Sequence, residues 1–489
     1  MPVEFLTDEQ RNRYGRFISE PTPEELARYF HLDDTDREVV AQHRGEHNQL
    51  GFAVQLCTAR FLGTFLEDLS SVPTGILAVL AQQLAIASAT GFTKYATGQT
   101  RWDHTTEIRQ RYRYRDFSDG VSQFRLNRWL YALCWTGTDR PGLLFDRATV
   151  WLITHKVLLP GVTVLERHVA HLRTRVQERV WTLLSRGLSP TVKTQLETLL
   201  TVPAGGHLSL LDRLRHGPFR RSAPELVRAL RRVGEIRALG LPQKVSQRVP
   251  PNRLQASARL AMTAKAATLH HFSESRRLAT LVAFAATVEA VALDDALDLF
   301  DILLTEIFSD ATKAGQTARL RTLKDLDAAA LQLAHVGRLI LQPEVTDEQL
   351  RHAIFLALPR EELATAVTQI EEVARPPEDL YYEELQQHWR RVRRFLPAFL
   401  ATIQFGATPA GEPIRAALDE LTLQEHHVQR KQPPLEVVTK AWRKYVLKDD
   451  GVIDRKAYTF AWIGSGQPSG GGICSSRPVC DMPMPAVDS

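Results

Sequence analysis

Apolar residues recur every three or four positions over residues 46–61, 73–88, 121–136, 163–186, 224–239, 276–292 and 379–396. That period gathers them along one side of a helix. Strand-like alternation is scarce. The punctuation agrees with the period: Ser222-Ala223-Pro224-Glu225 has the form of a capping box, and Pro73 and Pro190 sit early in their helical segments. The pattern predicts a mostly α fold. At 489 residues the chain exceeds what one core serves, so several domains are expected. Turn-forming residues at 204–206, 250–251, 376–377 and 409–413 suggest the joints. The expected division is a helical domain over 1–100, a basic helical domain over 101–250, a helical domain over 251–375 and a helical linker over 376–460.

The longest uncharged run, Leu69 to Thr93, contains Pro73, Gly75, Gln82 and Gln83. It reads as a buried helix and not as a membrane span. No basic stretch leads into an apolar one at the N-terminus, which points to a cytoplasmic protein. The four cysteines, Cys57, Cys134, Cys474 and Cys480, are too scattered for a disulfide framework or a four-thiolate zinc site. From Gly464 onward helical periodicity stops and Gly, Ser and Pro dominate. A disordered tail is expected over 461–489.

Charge changes the picture because it is unevenly placed. The net value is only +5, yet residues 101–260 carry 28 Lys/Arg against 12 Asp/Glu. Residues 1–100 carry 8 against 13, and residues 261–489 carry 25 against 31. A basic middle third thus lies between acidic flanks. Of the basic residues 49 are Arg and 12 are Lys. Arg suits phosphate because its planar fork engages two oxygens at once, although a GC-rich genome inflates Arg as well. Genome bias does not concentrate charge in one third of a chain.

Within that third, Arg109, Arg111, Arg113 and Arg115 alternate with Tyr112 and Tyr114. If the segment is extended, the four guanidinium groups share one face and can track a phosphate backbone; the alternative is a solvated edge. In the helix after Ser222, Leu226, Leu230 and Val233 form an apolar stripe with Arg228, Arg231 and Arg232 expected opposite. Arg101, Arg220, Arg221, Lys244, Arg248, Arg253, Arg276 and Arg277 complete the candidate DNA-binding set. Arg390, Arg391, Arg393 and Arg394 also cluster, but Glu383 and Glu384 precede them, and pairing within the helix is the expected account.

Catalytic patterns are sparse. His43-Arg44-Gly45-Glu46-His47 matches the inverted zinc-peptidase signature H-x-x-E-H. Gly45 inside it and the lack of a further ligand favour a chance match. His270-His271 and His426-His427 are adjacent, and neighbours on a helix face different ways. Phosphate-binding glycine loops and a G-x-S-x-G turn are absent. The acidic pairs Asp294-Asp295 and Glu361-Glu362 are expected at helix starts, where they complement the dipole. No catalytic residue, metal site or cofactor is assigned. Residues 23–30 followed by 36–43 have the length of a helix-turn-helix, but Asp36 and Glu38 would repel DNA, and a structural helical pair is expected.

Several blocks together resemble transposases of the replicative Tn-3 transposon family. Asn48-Gln49-Leu50-Gly51-Phe52-Ala53-Val54-Gln55-Leu56-Cys57 is followed by Arg60-Phe61-Leu62-Gly63, then by Thr100-Arg101 with His104. Leu158-Leu159-Pro160, Leu165-Glu166-Arg167, residues 236–242, Asn252-Arg253-Leu254 and residues 276–281 come next in order. Residues 441–446 and 454–458 close the series. The resemblance implies a multi-domain helical region, with small helix-turn-helix-like subdomains, that binds the terminal inverted repeats of a transposon in double-stranded DNA. It further implies pairing of the ends as a homodimer and strand transfer by an RNase H-like domain whose three carboxylates hold Mg2+. That domain is expected downstream of Tyr458, where this chain departs from the family near Ala461, so Mg2+ would belong to it. The expected role is DNA binding at a nucleoid-associated location. The alternatives are a non-catalytic scaffold, an inactive remnant, or an inhibitor that acts on an intact transposase.

Overall fold

The computed structural model describes residues 4–137, 139–242, 244–343, 346–373, 381–404, 412–425, 434–448 and 450–465, without the side chains of 319–325, 372–373 and 464–465. Helices dominate. Among the described residues the only β pairing is two isolated bridges, Arg115 with Val157 and Leu447 with Ile453. The chain forms two compact units: Met1–Ser209 with Leu241–Thr287, and Leu210–Gly240 with Val288–Ser489. The basic middle third is therefore divided, because residues 210–240 belong to the second unit.

The first unit begins with a helical cluster around Glu46–Leu62. This helix is buried at every position from Leu50 to Ala59, which explains its near-continuous apolar sequence. Gly51 is required by contact: a Cβ there would lie 2.3 Å from the Tyr95 ring. Helix Pro23–Tyr29 and helix Asp34–Ala41, each opened by a capping box, pack against it. They act as a structural pair. Asp36 points inward, where it accepts two hydrogen bonds from Arg60, each 2.7 Å, and one from the Tyr112 hydroxyl at 2.9 Å.

Three helices follow: Gly120–Thr136, Pro141–Thr154 and Val162–Ser185. Each lays an apolar stripe into one core, with Leu126, Leu130 and Cys134 meeting Leu144, Phe145 and Leu152, and Leu165, Val169, Leu172 and Val176. Asp119 starts the first by accepting the Ser122 amide at 2.8 Å, and Pro141 starts the second. Phe5, Leu6 and Tyr14 from the N-terminal segment pack on this bundle.

In the second unit, helix Ala223–Arg237 packs against Trp389–Thr402. Leu226, Leu230, Phe395, Phe399, Trp442 and Phe460 share its core. The stretch expected as one helix over 379–396 is two, Tyr382–Gln387 and Trp389–Thr402. The segment expected over 276–292 is part of a much longer helix, Glu274–Ile340. Asp294 and Asp295 consequently lie inside a helix, not at its start; Glu361 and Glu362 do occupy the first turn of Arg360–Val373. Helix Arg455–Ser465 runs through Ala461, where the tail is expected to begin, with Ala461, Trp462 and Ile463 buried. Residues 466–489 lie outside the described residues, as do Pro376-Pro377 and His426-His427.

Candidate nucleic-acid interface

The three-helix bundle concentrates exposed positive charge. Helix Gly120–Thr136 has no carboxylate and exposes Arg125 and Arg128. Helix Val162–Ser185 exposes Arg167, His171, Arg175 and Arg179, spaced four residues apart, so that they follow one another along its surface. Neither a hydrogen bond nor an ion pair engages Arg125, Arg128, Arg167, Arg175 or Arg179 among the described residues. The two acids of the second helix do not cancel this row equally. Glu166 is buried, accepting the amides of Phe5 at 2.7 Å and Leu6 at 3.0 Å and pairing with Arg11 at 3.1 Å. Glu178 alone remains exposed there. Over residues 117–186 the chain has ten Lys/Arg against five Asp/Glu.

A polar contact joins the two helices. His168 donates through Nε2 to Asn127 Oδ1 at 2.6 Å. Burial, reinforced by the charge of His171, holds His168 below the ordinary histidine range, which favours its neutral form. Tyr131 and Trp135 stack at 6.3 Å further along Gly120–Thr136. A second aromatic group, Trp129, Trp151 and His155, lines an apolar groove between this helix and Pro141–Thr154.

The sequence-based candidates have diverse surroundings. Arg113, Arg220, Arg221, Arg231 and Lys244 are exposed, with no side-chain hydrogen bond or ion pair among the described residues. Arg109 pairs with Asp116, Arg111 with Glu107 at 3.3 Å, Arg115 with Asp119 at 3.7 Å and Arg228 with Glu225 at 2.9 Å. Arg277 binds Glu197 at 2.9 Å. The others serve packing. Arg101 caps the Glu67 and Ala96 carbonyls, and Arg248 caps those of Leu183 and Arg186 at the end of the cationic helix. Arg253 is half-buried beside Cys134, and Arg276 lies 3.7 Å from the Phe272 ring centroid.

Two layouts require correction. Residues 109–115 are not extended: Arg109 and Arg111 end helix Thr100–Arg111, and Arg113 turns in the left-handed region at φ +59°. The alternation of Arg and Tyr therefore does not become two faces. Arg232 does not line an exposed face with Arg228 and Arg231. It is buried, donating to the Leu214 carbonyl at 3.0 Å and to Asp295 at 2.7 Å. Arg391 likewise pairs with Glu306 on the long helix at 2.7 Å, and not with an acid of its own helix.

The H-x-x-E-H match makes no metal centre. Gly45, at φ +92°, separates His43 from helix Glu46–Leu62, so the two histidines do not share a helical face. His43 stacks on Phe52 at 4.4 Å and lies tilted against His104 at 4.3 Å. Among the described residues no group of three His, Cys, Asp or Glu side chains is placed to hold an ion. No helix of the described residues is long and apolar enough to cross a membrane.

Comparison with known proteins identifies the class. Residues 5–172 match a family described as a domain of unknown function (DUF4158). The chain is 40% identical over 466 residues to the transposase for transposon gamma-delta of Escherichia coli strain K12, covering 95% of this chain and 46% of that protein. It is 28% identical to the transposase for transposon Tn501 of Pseudomonas aeruginosa (91% of this chain, 45% of that one). It is 26% identical to the transposase for transposon Tn1546 of Enterococcus faecium (94% and 47%). These relatives are transposases by name. The chain belongs to the Tn-3 family of transposases. It spans about half the length of the relatives it matches.

Proposed function

We propose that this chain is the DNA-binding portion of a transposase and grips the terminal inverted repeats of its transposon through the three-helix bundle over residues 117–186. The observation that carries the reading is the set of five exposed, unpaired arginines on Gly120–Thr136 and Val162–Ser185. A surface evolved only for solubility mixes signs and pairs them; here the one exposed acid on the two helices is Glu178. Unpaired guanidinium groups displace counterions from a phosphate backbone and gain affinity by their release. Arg113 and Lys244 add exposed charge on the same unit, and Arg220, Arg221 and Arg231 on the other. The strand-transfer chemistry of the family needs carboxylates and Mg2+, and no residue of this chain is assigned to it.

Fluorescence anisotropy at physiological salt tests the reading. A duplex bearing the element's own terminal repeat should bind more tightly than a scrambled duplex of equal length, by a factor on the order of 10³ or more. Equal binding to both would reduce the chain to a general polyanion binder.

A further inference from the structure

The bundle exposes an aromatic residue that phosphate binding leaves unexplained. Phe124 is 67% exposed on Gly120–Thr136, the same helix that turns Arg125 and Arg128 to solvent. Helical spacing sets Phe124 on the same side as Asn127, Tyr131 and Trp135. The hydrogen bond from His168 to Asn127 shows that this side borders Val162–Ser185. By the same spacing, Arg175 and Arg179 follow His168 and His171 on the facing side of that helix. Along this border, aromatic groups and an amide lie on one helix and guanidinium groups on the other.

We propose that this shared face is the base-reading surface: Phe124 enters the major groove and packs on thymine methyl groups, while Arg175 and Arg179 hold the flanking phosphates. Three observations favour duplex DNA as the occupant. The helix bearing Phe124 has no carboxylate to repel a groove lined by phosphates. Phe124 lies in the N-terminal half of its helix, the end from which groove-docked helices reach base edges, and where the dipole favours a polyanion. The neighbouring helix supplies unpaired cations at regular spacing, a row that suits the negative charge of a phosphate backbone running past the bundle. An apolar contact to a thymine methyl discriminates between bases, which phosphate contacts do not.

This inference rests on the proposed binding of transposon ends, and the test separates the two. The full chain and its Phe124→Ala and Phe124→Leu variants are titrated with repeat and scrambled duplexes over a range of salt. Phe124→Ala should lower the preference for the repeat roughly tenfold, with little change on scrambled DNA and an unchanged salt slope. Phe124→Leu should recover most of the preference. Because the side chain is exposed, the thermal midpoint of both variants should match that of the parent. Should the parent prefer the repeat and Phe124→Ala keep that preference in full, the base-reading assignment alone is overturned. An equal loss on both duplexes would overturn it too, as would a shift in oligomeric state with DNA binding intact, which would make the face a protein contact. Absence of any preference in the parent would instead overturn the underlying reading, and this one with it.

Discussion

Asn127 Oδ1 accepts a hydrogen bond from His168 Nε2 at 2.6 Å, and this contact ties the acid-free helix of the bundle to its cationic neighbour. The bond fixes which sides of the two helices meet, and so which aromatic and basic side chains lie beside one another. Replacing Asn127 with Ala should lower stability by about 1 kcal/mol, the usual net worth of such a bond. Differential scanning calorimetry on the full chain checks this, with hydrogen exchange over Gly120–Thr136 locating the effect. A loss in helix Glu46–Leu62 instead would show that the contact does not act locally.

Asp36 makes a second prediction. Burial alone would raise its pKa, but hydrogen bonds and charge from Arg60, joined by the Tyr112 hydroxyl, hold it below the ordinary carboxylate value. The carboxylate is 1% exposed, so removing its charge leaves Arg60 facing a desolvated gap. Asp36→Ala should cost about 3–5 kcal/mol, against less than 1 kcal/mol for the exposed neighbour Glu38→Ala. Urea unfolding followed by hydrogen exchange over Asp34–Ala41 reads the difference.

His104 predicts acid sensitivity. Burial chiefly, then the neighbouring His43, pushes it down to about 4 from an ordinary 6.5. Its Nδ1 lies 3.0 Å from the Tyr95 hydroxyl within the N-terminal core. A folded-state pKa below the unfolded one means that acid favours the unfolded chain. The stability contributed by neutral His104 is complete above pH 6.5 and is lost as pH falls from 6.5 through about 4. The thermal midpoint of this region should drop across that window, less steeply in His104→Phe; an equally steep drop would assign the effect to other groups.

Arg231 and Arg232 are adjacent and should behave oppositely. Arg232→Ala strands Asp295 and the Leu214 carbonyl and should cost about 3 kcal/mol. Arg231→Ala, on the exposed side, should change stability by less than about 0.5 kcal/mol. Hydrogen exchange over Ala223–Arg237 distinguishes them.

The helices were legible in the sequence because a 3.6-residue period survives any tertiary arrangement. Gly120–Thr136 and Val162–Ser185 lie within a residue of the expected segments. The long helix Glu274–Ile340 was underestimated because its buried face changes along its length as its partners change. Ion pairing was less legible, since it depends on residues remote in sequence. Arg232 and Asp295 are 63 positions apart, so the arginine read as one of an exposed trio. The converse error hid the strongest candidates. Arg167, Arg175 and Arg179 share a segment with Glu166 and Glu178, and the sequence shows mixed charge. Only the fold reveals that Glu166 is turned inward and already bound by Phe5, Leu6 and Arg11. The four-residue spacing of the exposed row was the available signal, obscured because the burial of an acid is not visible in sequence.

Salt dependence tests most directly whether the unpaired arginines on the bundle grip phosphate. Binding of the repeat duplex is measured at several salt concentrations for the parent chain and for the triple variant Arg167→Ala, Arg175→Ala, Arg179→Ala. Each lost phosphate contact lowers the magnitude of the log–log slope by about 0.9, so the account predicts a reduction of about 2.7. A triple variant that folds as the parent does and keeps its slope would contradict the account.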